Sequence, residues 1–214
     1  MGANQTDYSL YLVTDRTLSR GRSTLEVVTA AIQGGVTCVQ LREKACSTRE
    51  FMDEALALKS VLLRYGIPLL INDRVDIALA VNADGVHLGQ SDMRIADARR
   101  ILRPTMIVGI SVESVADAIQ AEAEGADYIG ISPVFATGTK TDTAPPLGLE
   151  GVRRIREQVK IPLVGIGGIH AGNAAEVVRH GADGIAVVSA IVSAENPTLA
   201  AAELRRLAVD LKPN

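Results

Sequence analysis

Three stretches of this chain share one grammar. VNADGVHLG (81–89), EGADYIGIS (124–132) and HGADGIAVV (180–188) each run from a helix end through a turn and an Ala-Asp pair into an apolar strand. QGGVTCVQLR (33–42) is a looser copy. A junction repeated in this way is what copies of one helix-turn-strand unit leave behind, and it constrains the fold more than any single motif.

Eight short apolar runs can serve as the strands: 10–14, 38–42, 68–72, 85–89, 106–110, 128–132, 162–166 and 184–189. Several are continuously apolar and rich in Val and Ile, as strands covered on both faces of a parallel sheet are. Amphipathic patterns lie between them. In REFMDEALALKSVLLRYG, residues Phe51, Ala55, Leu58, Leu62 and Tyr65 recur at helical spacing and Gly66 supplies the stop. Eight units in 214 residues leave about 27 residues each. The expectation is an α/β fold: one compact (β/α)8 TIM barrel over 1–214, with 1–7 as a polar tail. An open doubly wound sheet comes second, because no dinucleotide-binding glycine fingerprint accompanies the strands.

Composition narrows the function. Hydrophobic residues make up 47% of the chain and aromatic ones 3%, so the expected core is Val, Ile, Leu and Ala. A formal net charge of −3 argues against nucleic acid as a partner. No apolar run approaches a membrane span, and the N-terminus does not read as a signal peptide. It does fit the loose myristoylation pattern, with no basic patch behind it. Cys38 and Cys46 form no disulfide framework. A cytoplasmic protein is expected, its oligomeric state left open and a homo-oligomer compatible with it.

In such a barrel chemistry sits at the C-terminal ends of the strands. There the sequence places Gln40, Arg42 and Lys44, then Asn72 and Asp73, then Asp92, then Ser111. Strand 6 leads into a loop with Thr137, Thr139 and Lys140, strand 7 into GIGGI, and strand 8 ends at Ser189. Alternation along an extended strand would point Gln40, Arg42 and Lys44 the same way. Asp73 and Asp92 could each cap the helix that follows. Two carboxylates from neighbouring units also suit Mg2+, which is commonly held by one or two carboxylates plus substrate phosphate. No Cys/His cluster suggests zinc. With Arg42, Lys44 and Lys140 nearby, the rim fits a diphosphate. The glycine-rich turn after strand 7, followed by Ser189, fits a second anion, a monophosphate at the usual position in these barrels. His87 lies inside a strand, either as a core hydrogen-bonding residue or as a substrate contact, and His170 and His180 read as surface residues. No nucleophile elbow or Ser-His-Asp pattern occurs, so ion stabilisation is the expected chemistry.

From YLVTDR to VVSAI the chain resembles the thiamine-phosphate synthase family. The resemblance is carried, in order, by QLREK, LLINDRVDIAL, ADGVHLGQSD, GISV, SPVFATGTKTD, GIGGI and VVSAI. It implies a Mg2+-dependent transferase of thiamine biosynthesis. Small-molecule partners follow: an aminopyrimidine-methyl diphosphate and a hydroxyethylthiazole phosphate, joined into thiamine phosphate with release of diphosphate. It further implies that Gln40, Leu41, Arg42, Glu43, Lys44, Asn72, Ser111 and Lys140 contact the pyrimidine diphosphate. Of these, Arg42, Lys44, Lys140 and Ser111 would carry the catalysis. Asp73 and Asp92 would bind Mg2+, and Thr137, Gly138, Thr139, Gly168, Val188 and Ser189 would hold the thiazole phosphate. Ser132 departs from the glycine that many relatives carry before the proline. A thiazole tautomerase-like relative or a non-catalytic thiazole-phosphate-binding module is the alternative. The cations and carboxylates retained here speak against a tautomerase, which needs no diphosphate clamp.

Overall fold

The computed structural model describes residues 6–138 and 145–209. Eight parallel strands close into a barrel in sequence order. They are β1 (Leu10–Val13), β2 (Cys38–Leu41), β3 (Leu69–Asn72), β4 (Gly85–Leu88), β5 (Ile107–Val112), β6 (Tyr128–Ile131), β7 (Leu163–Ile166) and β8 (Gly184–Val187). The expected runs begin or end one or two residues away from these bounds. Around them lie α1 (Thr24–Gln33), α2 (Thr48–Leu62), α3 (Val75–Ala80), α4 (Ile95–Ile101), α5 (Val115–Ala123), α6 (Gly148–Arg156), α7 (Ala174–Arg179), α8 (Ser189–Val192) and α9 (Pro197–Val209). No helix among the described residues is long and apolar enough to cross a membrane.

Local chemistry starts the helices. Ser23 with Glu26 and Ser47 with Glu50 form reciprocal capping boxes at α1 and α2. In α2, Phe51, Ala55, Leu58 and Leu62 are buried as their spacing requires. Tyr65 is 52% exposed, because the helix tightens to a 3-10 turn over Leu63–Tyr65 before the left-handed Gly66.

Strand alternation divides the core into two shells. Leu10, Leu12, Val39, Leu41, Leu69 and Ile71 face outward and pack under the helices. The inner shell contains Tyr8, Tyr11, Cys38, Leu70, Tyr128 and Val164. The interior is therefore partly aromatic and hydroxylated, where the composition suggests a purely aliphatic core.

The repeated Ala-Asp junction has a physical role at the N-terminal end of the barrel. The carboxylates of Asp84, Asp127 and Asp183 accept the backbone N–H of Leu69 (2.8 Å), Val108 (2.7 Å) and Leu163 (2.8 Å). Each aspartate's own N–H returns to the carbonyl of that same residue. Thr37, in the looser copy, does likewise with Leu10, its hydroxyl accepting the N–H at 3.1 Å. Each clamp joins an even strand to the odd strand before it and satisfies a donor that the ladder leaves over.

Candidate active site

A cavity of about 1090 Å³ opens at the C-terminal end of the strands. It is lined by Gln40, Arg42, Lys44, Asn72, Asp73, Asp92 and Ser111 on one side. On the other side stand Thr137, Gly138, Gly168, Val188 and Ser189. The side chains of Leu41 and Glu43 do not line it. Leu41 packs in the outer shell, and Glu43 lies 3.6 Å from Arg16. Thr139 and Lys140 lie outside the described residues.

Alternation does not carry through QLREK, because β2 ends at Leu41. Gln40 alone obeys it and turns into the barrel, 3% exposed. Arg42 and Lys44 reach the cavity from the loop. The Arg42 backbone N–H donates to the Thr14 hydroxyl at 3.0 Å, and its guanidinium lies 3.5 Å from Asp15. Lys44 Nζ contacts Asp73 Oδ2 at 2.5 Å.

Neither rim carboxylate caps a helix. Helix α3 begins after Arg74 and α4 after Arg94, without side-chain caps. Asp73 instead sits in the left-handed region, φ 59°, a conformation unusual outside glycine. There its carboxylate meets Lys44 and comes within hydrogen-bonding reach of Asp92. Asp92 Oδ2 accepts the Gly89 N–H at 2.7 Å. Burial pushes the Asp73 carboxyl up, but Lys44 and the contact with Asp92 outweigh it and hold it below the usual range. Burial and the facing Asp73 carboxylate raise Asp92. Two carboxylates in this relation titrate as a pair and are stable together with a proton or a cation between them. Among the described residues no group of three or more His, Cys, Asp or Glu forms a metal cage. A two-carboxylate donor set beside an open cavity therefore fits a hard divalent ion that completes its shell with phosphate and water.

The opposite wall is built from backbone. Gly167 and Gly168 both have positive φ, 99° and 62°. A Cβ at Gly168 would overlap the Ala136 carbonyl oxygen and Phe135. The loop after β6 thus lies directly on the turn after β7, and the Phe135 N–H donates to Gly167 O at 3.1 Å. Asn173 fixes the turn: its Nδ2 donates to Gly168 O at 2.9 Å, and its Oδ1 accepts the His170 N–H at 2.8 Å. At the start of α8 the Ile191 and Val192 N–H groups donate to Val188 O at 3.1 and 2.9 Å, and Val188 and Ser189 line the cavity.

Some lining residues sit differently from the expectation, and others were not expected in the site. Ser111 was expected at a strand end but lies within β5, which runs to Val112. His87 is both a core residue and a cavity residue. Its Nδ1 lies 2.7 Å from Tyr128 Oη and its Nε2 2.9 Å from Ser111 Oγ. Tyr11, Tyr128, Gln90 and Asn173 line the cavity too. A tyrosine inside a strand of a chain with only four was the one available signal for Tyr11 and Tyr128. His170 is exposed as expected, yet it stands at the cavity wall.

A family model described as thiamine monophosphate synthase matches residues 10–191. The thiamine-phosphate synthase of Albidiferax ferrireducens is 58% identical over 198 residues, covering 92% of this chain and 90% of that protein. The one from Chloroflexus aurantiacus is 56% identical over 205 residues, covering 96% and 94%. Among solved structures, thiamine phosphate pyrophosphorylase from Pyrococcus furiosus superimposes with a TM-score of 0.90 at 44% identity, covering 97% of this chain and 98% of that one.

Proposed function

The chain belongs to the thiamine monophosphate synthase family, and we propose that it joins 4-amino-2-methyl-5-pyrimidinylmethyl diphosphate to hydroxyethylthiazole phosphate. The products are thiamine phosphate and diphosphate. One observation carries this reading. A rim of cations and paired carboxylates shares a single cavity with a glycine-built anion wall.

Arg42, Lys44 and Lys140 take the diphosphate of the pyrimidine substrate, with Asn72 and the backbone from Gln40 to Lys44 beside it. Asp73 and Asp92 would hold Mg2+, which supplies charge neutralisation for the leaving group. Gln40 and Ser111 hold the pyrimidine ring. Thr137, Gly138, Thr139, Gly168, Val188 and Ser189 hold the thiazole phosphate and so aim the thiazole nitrogen at the methylene carbon. The bond from that carbon to the diphosphate oxygen breaks and the electron pair leaves with the diphosphate. The ring amino group donates into the cation left behind, and the thiazole nitrogen then bonds to the carbon. No proton has to be removed, which accords with a site built from charge donors rather than a base.

The purified protein, given both substrates and Mg2+, should form thiamine phosphate and diphosphate in equal amounts. Binding or isomerisation of the thiazole phosphate without coupling would instead favour the tautomerase-like or non-catalytic reading. The order of bond changes has its own test. An electron-withdrawing substituent on the pyrimidine should slow single turnover by orders of magnitude, each tenfold corresponding to about 1.4 kcal/mol of barrier. An unchanged rate would favour concerted displacement.

A further inference from the structure

Five side chains from five strands form one unbroken hydrogen-bond chain across the cavity floor. Gln40 Nε2 donates to Tyr11 Oη at 2.7 Å. Tyr11 Oη and Tyr128 Oη are 2.9 Å apart. Tyr128 Oη lies 2.7 Å from His87 Nδ1, and His87 Nε2 lies 2.9 Å from Ser111 Oγ. The chain is built into the barrel: Gly109 leaves the space for the Tyr128 ring, where a Cβ would overlap it.

Where every hydroxyl proton is used within such a chain, each hydroxyl between two partners donates one bond and accepts the other, and the chain runs in one direction. An amide nitrogen only donates. With Gln40 Nε2 donating to Tyr11, the direction that uses every hydroxyl proton has Tyr11 donate to Tyr128 and Tyr128 to His87 Nδ1. Nδ1 is then an acceptor, so the imidazole proton sits on Nε2 and is donated to Ser111 Oγ. Burial raises both tyrosine hydroxyls well above their ordinary range, so neither ionises and interrupts the relay.

We infer that Tyr11, Tyr128 and His87 are positioning residues that fix the polarity of the floor, presenting Gln40 Oε1 as an acceptor and the Ser111 hydroxyl as a donor to the ring of the substrate. The ligand class selected is a planar heterocycle with an exocyclic amino group and an unprotonated ring nitrogen. A 4-oxo pyrimidine, which offers a carbonyl and a ring N–H instead, meets the wrong partner at both ends. The identity of this ligand rests on the synthase reading; the state of His87 does not.

Two measurements separate them. In the ligand-free protein, 15N NMR of labelled histidine should find the His87 proton on Nε2 and Nδ1 accepting. A proton on Nδ1 overturns the inference whatever the enzyme's activity. The second compares equilibrium binding of the amino and 4-oxo pyrimidinylmethyl diphosphates without the thiazole partner. Wild type should prefer the amino form by about a hundredfold or more, since a site built around a hydrogen-bond pattern rejects its mismatch strongly. Tyr128→Phe keeps the ring and cuts the chain, so the preference should fall about tenfold and both neutral His87 tautomers should appear. Tyr11→Phe cuts one link earlier and gives the same readout if Tyr128→Phe does not fold. A purely structural role would weaken both ligands equally, and an unchanged ratio overturns the inference. Absence of turnover with the expected tautomer and preference would sink the synthase reading and leave this one standing.

Discussion

At the N-terminal end of the barrel Asp84, Asp127 and Asp183 each accept a backbone N–H. At the C-terminal end Asp73 and Asp92 face each other. The same side chain meets two different needs. Below, each carboxylate finds a donor in the adjoining strand, and Asp127 and Asp183 add arginines, Arg99 at 2.6 Å and Arg156 at 2.9 Å. Above, one carboxylate is forced into a left-handed backbone conformation and pressed toward another acid. The lower end meets its carboxylates with backbone donors and arginines, whereas the upper end sets two carboxylates against each other, with Lys44 on Asp73 and the Gly89 N–H on Asp92. Strain and like-charge contacts of this kind persist where function retains them.

The largest effect should come from breaking the upper pair. Asp73→Ala and Asp92→Ala should each lower turnover at least a hundredfold while changing Tm by little, measured as diphosphate release and by calorimetry. Loss of stability with activity retained would make them ordinary structural carboxylates. Next is the anion wall. Gly168→Ala places a methyl against Ala136 O in a backbone conformation that alanine resists. Apparent affinity for the thiazole phosphate should fall about tenfold or more, with pyrimidine diphosphate affinity nearly unchanged in separate titrations. An equal loss for both substrates would mean that the two anion sites are not independent.

The lower end should answer differently. Asp127→Ala removes the acceptor of the Val108 N–H and the Arg99 partner, and should cost about 1–2 kcal/mol of stability. Turnover per folded molecule should stay at the wild-type level. A drop in turnover without a drop in Tm would dissolve the contrast between the two ends.

The lower end was also the more legible. The Ala-Asp repeat is a local pattern, and each copy acts on a strand one β/α unit away, so the sequence carries its own index of the fold. Thr37 shows that even the imperfect copy keeps the acceptor. The rim residues were legible where charge stands out in an apolar chain, as with Arg42, Lys44, Asp73 and Asp92. Gln40 was legible through strand alternation, whereas Tyr11 and Tyr128 were harder. Their role depends on side chains from β1, β2, β4, β5 and β6 meeting inside a closed barrel, and no spacing in a linear chain encodes that meeting. The capping reading of Asp73 and Asp92 failed because α3 starts at Val75 and α4 at Ile95, one and two residues later than a cap at Asp73 or Asp92 requires.

The smallest expected effect lies just outside the cavity. Glu43 Oε1 is buried without a hydrogen-bond partner among the described residues. Burial, followed by the nearby Glu54, raises its carboxyl. A carboxyl raised on folding binds its proton more tightly in the native state. Its stabilising contribution is thus complete at pH below the unfolded value and declines as pH rises through the folded one. Wild type should therefore lose stability relative to Glu43→Gln between about pH 4 and neutrality, by under about 1 kcal/mol given the partly open, salt-screened surroundings. A difference that stayed flat with pH would place the Glu43 carboxylate in a compensated environment.

The contrast between the two ends is tested most directly by single-turnover diphosphate release against Mg2+ concentration in wild type, Asp92→Ala and Asp127→Ala. The Asp127→Ala curve should coincide with wild type once corrected for the folded fraction. The Asp92→Ala curve should be shifted to much higher Mg2+ and reach a far lower plateau. Coincidence of the Asp92→Ala curve with wild type would contradict the assignment of the rim carboxylates to the departing diphosphate.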